Sequence, residues 1–344
     1  MLIKFFKFVL ILLFYQNPLY SKSNTLNDFD SHHLSNYFSG IVAYDNNNNA
    51  KALKFFKLSK HLIKQHNSYL ENYIYMLVLE GKVLQAVSEI KQNLTEDNSN
   101  FFEAHFLLAL ESFKRKNYKK SKKHLQRSYE FINNDRFSLI IAETLKQYLY
   151  VFEENKISKK KIEFGNFSLI NEIFQRCYLN DQNTKKYFEN LINNKDNVRA
   201  RDGDFSRYIF FYISYLIEND RNEEVKNITN NIDYLNSSLL ISQGKKWIED
   251  QKSEEFKKVF SCKNPEDIVS ELLFLVATLY SSQNNYEKSN FHLNLSHYLN
   301  PKFKFNLSLL AENYYLNNDY IKTLKILESF NKKDDFYYWF KLKK

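Results

Sequence analysis

Small and bulky residues recur along this chain at helical spacing, and the spacing itself repeats. In the stretch 284–301, Tyr286, Ser289, Leu293 and Ser296 fall at alternating steps of three and four residues, which places them on one face of a helix. A shift of 34 residues brings Tyr286 onto Tyr320, Ser289 onto Thr323 and Leu293 onto Leu327, and Ala277 onto Ala311. A period of that length holds two helices and a turn, so the pattern predicts stacked helix pairs. Near the start, Ala52, Ala86 and Ser121 take the small position of a second helix, with Phe56, Ile90 and Leu125 four residues later. Gly40 and Ala109 take the small position of a first helix. A small residue at a helix crossing lets two backbones approach, and a bulky one a turn away fills the remaining gap.

Clear units are read at 33–66, 67–100, 102–131, 270–303 and 304–331, so clear repeats cover 33–131 and 270–331. Across 132–265 the pattern degenerates without stopping. Apolar-periodic pairs are read at 167–193, 205–230 and 239–260, the last marked by Gly244, Trp247, Phe256 and Phe260, and "ENKISKKK" at 154–161 reads as a loop. No Gly/Ser-rich or Pro-rich linker divides the chain, so 24–344 is read as one array. The stretch "DDFYYWFKLKK", 334–344, reads as an incomplete repeat over 335–344 that opens a first helix dense in aromatic residues. Two explanations stay open for it: a longer protein, or an aromatic end that docks onto another molecule.

The order of positions is small in the first helix, aromatic or small three later, a turn, then small, bulky and small in the second helix, with Pro301 closing a unit. This resembles the tetratricopeptide repeat of bacterial exported proteins over about half the chain. The resemblance implies an all-α fold, a right-handed superhelical solenoid of stacked antiparallel helix pairs whose first helices line a concave, peptide-holding groove. Helix phase then puts Phe106, Leu110 and Phe113 of the third unit in that groove. Their counterparts are Phe274, Thr278 and Ser282 in the eighth unit and Ser308, Glu312 and Tyr315 in the ninth. On this reading Ser289 and Ser296 are spacers, and His292 and His297 lie on the solvated side.

Composition agrees with helices. Over 344 residues there are only 5 glycines and 3 prolines, too few turn residues for a sheet protein. Hydrophobic residues make up 44% and aromatics 17%, enough to bury a core and wedge rings between helices. Residues 1–23 have a lysine-bearing start, an apolar run from Phe8 to Tyr15 and a polar end with Ser21 and Ser23, the form of a secretory signal. The formal charge is +9, but the chain is rich in Lys, Asn, Ile, Phe and Tyr throughout, a bias that AT-rich codons also produce.

No phosphate-cradling glycine loop, nucleophile elbow, HExxH or paired-cysteine metal spacing can be written in this sequence. The expectation is therefore no enzyme activity, no cofactor and no metal. Cys177 and Cys262 stand 85 residues apart, about two and a half repeats, and units that touch only their neighbours would leave them as two separate buried thiols. The densest charge run is "KRKNYKKSKKHLQR", 114–127, where Lys119, Lys122, Lys123 and Arg127 face outward as a basic ridge. The expected function is a non-catalytic interaction scaffold, exported to the periplasm or cell envelope, that holds a protein or peptide in its groove. The ridge offers contact with an anionic envelope surface, nucleic acid is not expected, and the aromatic end allows self-association. The alternative is the amino-terminal recognition arm of a larger envelope enzyme, such as a transferase.

Overall fold

The computed structural model describes residues 31–46, 48–64, 66–93, 101–132, 135–158, 164–193, 206–234, 237–334 and 336–344. The signal-like segment 1–23 lies outside the described residues. Every regular element among those described is helical, and most helices come in adjacent pairs. The pairs are α1 (Ser31–Asp45) with α2 (Asn49–Leu58), α3 (Asn67–Leu79) with α4 (Val83–Asn93), and α5 (Phe102–Lys114) with α6 (Tyr118–Ser128). A long α7 (Arg136–Glu154) precedes α8 (Asn166–Tyr178) with α9 (Thr184–Asn193), α10 (Ser206–Glu218) with α11 (Asn222–Asn230), and α12 (Leu239–Glu249) with α13 (Glu254–Val259). The last pairs are α14 (Pro265–Ser282) with α15 (Tyr286–Leu299) and α16 (Leu307–Leu316) with α17 (Tyr320–Glu328), followed by α18 (Tyr337–Lys343).

One turn geometry closes all eight pairs. The backbone N–H of Asn48, Lys82, Asn117, Asp181, Arg221, Lys252, Asn285 and Asp319 each donates to the carbonyl five residues earlier, at 2.6–3.0 Å. This bond satisfies a helix-end carbonyl that has no partner within the helix. Gly81, Lys116, Asn180, Asp220, Gln251, Asn284 and Asn318, each just before one of those donors, hold positive φ between 52° and 69°. Asn48, Asn117, Asn285 and Asp319 then cap the second helix by accepting from the N–H three residues on. Asparagine suits both positions, so its abundance serves the fold here as well as reflecting a compositional bias. Three of these turns lie within 132–265, and so the weakly periodic middle uses the same pairing.

The spacer positions behave as the repeat frame requires. Ala52, Ala86, Ser121 and Ser289 are fully buried, and the bulky Phe56, Ile90, Leu125 and Leu293 are buried beside them. A Cβ on Gly40 would stand 3.4 Å from the Phe56 ring. Ser121 Oγ donates to Ala109 O at 2.8 Å, and Thr323 Oγ1 donates to Ala311 O at 3.3 Å, the same bond in two units. At Gly244 a Cβ would fall 2.9 Å from Phe256 Cζ and 3.3 Å from Phe210 Cδ2, both rings fully buried. Gly244→Val is therefore expected to lower stability by about 1–3 kcal/mol through overpacking, despite glycine's poor helix propensity, and a urea melt reads the loss.

The chain does not run on as a series of pairs that meet only their neighbours. Helix α15 packs against α3 and α4, and α14 against α7 and α8, so the late pairs lie on the early ones. Along one face of α15, Glu287 bonds the Tyr44 hydroxyl and Phe291 stacks on Tyr75 at 4.7 Å. Further along that face Asn294 Nδ2 donates to Leu79 O at 3.2 Å, and the Tyr298 carbonyl accepts from Lys114 Nζ. Tyr314 OH also donates to Leu79 O, and Lys322 pairs with Glu80 at 2.8 Å.

This return corrects two expectations. His292 does not lie on a solvated side: it is buried, stacked on Tyr280 at 5.3 Å, with Nδ1 sharing a 2.7 Å hydrogen bond with Lys288 O. His297 is half-buried. The cause is that α15 has α14 on one face and α3 on another, which leaves little of it to water. The cysteines are also not separate thiols. Cys177 and Cys262 form a disulfide with Cα atoms 5.6 Å apart. Helix α13 is only six residues long, and Phe260 after it is extended, so the chain crosses back over α10. There Phe260 packs on Phe174 and Phe211, and its carbonyl accepts from Ser214, which brings Cys262 to the end of α8.

Candidate interaction surfaces

The groove positions taken from helix phase do not form one open surface. Phe106, Leu110 and Phe113 on α5 are each 1% exposed. Phe106 stacks on Phe102, and Phe113 lies between Tyr118 and Phe152, so these rings join successive pairs instead of facing a partner. The physical reason is that α6 and α7 close over this face of α5, Phe113 meeting Tyr118 of the one and Phe152 of the other. Phe274 is half-buried under the Arg207 guanidinium, 3.9 Å from its ring centre. Thr278 and Ser282 are exposed but bond carbonyls of their own helix, Phe274 O and Leu279 O. Ser308 is half-buried, while Glu312 and Tyr315 are exposed.

Tyr315 belongs to a surface that the repeat frame did not single out. With Leu316 on α16 and Tyr320, Ile321 and Leu324 on α17 it surrounds the turn of that pair, and these side chains are 43–82% exposed. The Tyr315 and Tyr320 rings meet at 5.6 Å. The signal was present in "YIKTLKILE": Tyr320, Ile321 and Leu324 widen its apolar side, whereas packing uses only Leu327 fully and Ile326 in part. The aromatic end, by contrast, is covered by its own chain. Phe340 stacks on Phe330 at 3.6 Å, and Phe336 meets Trp247 and Phe305, so those two rings are not open for self-association. Trp339, half-buried, also lies against Phe305.

The basic ridge divides into two kinds of residue. Lys122 pairs with Glu153 and Arg127 with Glu130. Lys119 and Lys123 are exposed and enter no ion pair among the described residues, and the same holds for Lys116 and Lys120. His124 on the same helix is half-buried, and burial together with Lys120 and Lys123 pushes its imidazole down to about 4.

Titratable groups concentrate where early and late pairs meet. Asp135 caps α7, accepting from Phe137 N at 3.1 Å and Ser138 Oγ at 2.9 Å, and it also accepts from Tyr280 OH and pairs with Lys288. Burial alone would raise the Asp135 carboxyl, but the Ser138 bond and Lys288 hold it below the usual range. Burial raises the Glu103 and Glu287 carboxyls and pushes the His292 imidazole down to about 4. In the second half Arg207 makes a two-pronged bond to Glu271, at 2.8 and 2.6 Å, and reaches Asn306 Oδ1 at 2.7 Å. The Asp135–Lys288 and Arg207–Glu271 pairs each tie helices of different pairs together, which suits holding helices in register. No group of three or more His, Cys, Asp or Glu residues able to hold a metal occurs among the described residues.

Among α9–α11 lies a cleft of about 440 Å³, with Ile192, Ile209, Ile228 and Ile232 on its apolar wall. Its charged side chains are mutually paired, Lys185 with Glu224 at 2.6 Å, and Tyr212 OH with Glu189 at 3.1 Å. No helix among the described residues is long and apolar enough to cross a membrane. No protein-family model matches the sequence, and no curated protein matches it either.

Proposed function

We propose that this protein is a non-catalytic scaffold of tetratricopeptide-like helix pairs, exported to the periplasm or cell envelope, that holds another protein. The observation that carries this reading is the uncovered apolar tip of the α16–α17 pair, where Tyr315, Leu316, Tyr320, Ile321 and Leu324 face solvent together. An apolar group of this kind is what a protein interface buries at its centre. Repeated pairs closed by one turn geometry support the scaffold part, because stacked pairs make a rigid frame without needing a reactive site. The buried disulfide supports export, since such bonds persist in oxidising compartments and are rare where glutathione keeps thiols reduced. In this reading the partner meets the late end of the array, because Phe106, Leu110 and Phe113, the early positions where a peptide was first expected, are buried.

A photo-cross-linking residue at position 321, in the protein expressed in its own cells, should trap one discrete adduct. Ile321→Asp with Leu324→Asp should weaken the complex about thirtyfold or more, the effect of charging the centre of an interface. The thermal midpoint should stay unchanged, because both side chains are exposed. An absence of adduct at 321, or one that survives the double substitution, overturns the proposal.

A further inference from the structure

We propose that the outer face of α6 docks on an anionic phospholipid surface through Lys116, Lys119, Lys120 and Lys123, a second surface that stands whether or not the α16–α17 tip holds a partner. Lys119, Lys120 and Lys123 lie in the first two turns of α6, within about 100° of one another around its axis, and form one stripe that Lys116 extends from the turn just before. All four are exposed and none is in an ion pair among the described residues, whereas Lys122 and Arg127 are offset by Glu153 and Glu130. The stripe therefore carries uncompensated positive charge that the rest of the ridge does not. Its neighbourhood shows the same field, for Lys120 and Lys123 both add to burial in keeping the His124 imidazole neutral.

Shape and chemistry select a membrane over other polyanions. The stripe lies on the exposed side of a helix, a convex face that meets a flat surface more readily than it wraps a polymer. Tyr118, the one aromatic in this run, is half-buried against Phe113 and Phe152, so no ring is free to stack a base. Leu125 is buried, so α6 presents cations without an apolar edge to insert. The contact would be electrostatic and lie on the surface, losing strength within a Debye length.

The test uses the purified full chain and sedimenting vesicles of phosphatidylcholine containing 30% phosphatidylglycerol, with pure phosphatidylcholine alongside. Binding to the anionic vesicles alone is expected, and its loss in about 1 M salt. Lys119→Gln with Lys123→Gln should weaken partitioning about thirtyfold, at roughly fivefold for each lysine near an anionic surface. Lys122→Gln with Arg127→Gln removes the same formal charge from paired positions, so it should weaken binding less than about threefold. Lys119→Arg with Lys123→Arg should bind as the parent does. Equal losses in the two glutamine variants, equal binding to both vesicle types, no vesicle binding at all, or lysine-dependent binding to DNA or a sulfated polysaccharide without vesicle binding, would each overturn the proposal.

Discussion

Replacing Arg207 with methionine should destabilise the protein by about 3–5 kcal/mol, the loss seen when one partner leaves a buried ion pair. Arg207 and Glu271 side chains are 11% and 2% exposed, and they join three pairs: Arg207 opens α10, Glu271 lies in α14, and Asn306 precedes α16. Methionine keeps much of the packing against Phe274 and Phe303, so what is lost is mainly the charge. Glu271 is then buried without its counter-ion. Burial already lifts the Glu271 carboxyl, with Arg207 holding it back, and removing Arg207 lifts it further. A raised carboxyl means that the folded state binds the proton more tightly than the unfolded one. Its penalty is therefore absent below the unfolded range near about 4.3 and grows as pH rises toward the folded value. Urea unfolding should show a larger loss at pH 8 than at pH 5. Adding Glu271→Leu should recover most of the stability, because two apolar residues need no counter-ion. If the single variant unfolds at the parent's midpoint at both pH values, the pair does not hold the three helix pairs together.

Loss of the disulfide should come next in size. Cys177→Ser with Cys262→Ser opens a loop of 85 residues, which loop-closure entropy values at about 4–5 kcal/mol and typical disulfides at about 2–4 kcal/mol. Both sulfur-bearing residues are only 2% exposed, so a dithiol should reduce the bond slowly in the folded protein and rapidly once urea unfolds it. Thiol labelling followed by mass measurement reads the redox state, and thermal unfolding reads the stability. Quantitative labelling of the native, unreduced protein would show that the bond does not form.

Much of the local structure was legible beforehand. Ala52, Ala86, Ser121 and Ser289 are spacers because a helix crossing excludes larger side chains, and that rule acts within about 34 residues. The repeat frame required a turn in each unit without naming its residues; Asn117, Asn285 and Asp319 stand there because caps are chosen by local backbone needs. The candidate surfaces were less so. Phe106, Leu110 and Phe113 have the phase of groove residues, but phase says which side of a helix they occupy and nothing of what lies opposite. The tip at Ile321 and Leu324 was overlooked for a related reason: an apolar residue in an amphipathic helix reads as core until the neighbouring helix is located.

By itself the sequence determined the helices, their pairing and the buried spacers, because hydrophobic period, turn chemistry and small-residue placement act over one or two turns of chain. Only the tertiary structure decided that α14 and α15 come back onto α3, α4, α7 and α8, that Cys177 meets Cys262, and that five apolar side chains at the α16–α17 turn stay uncovered. Those outcomes depend on small rotations between successive pairs, on one short helix such as α13, and on their sum over some two hundred residues. A repeat pattern constrains each step and leaves the accumulated path open.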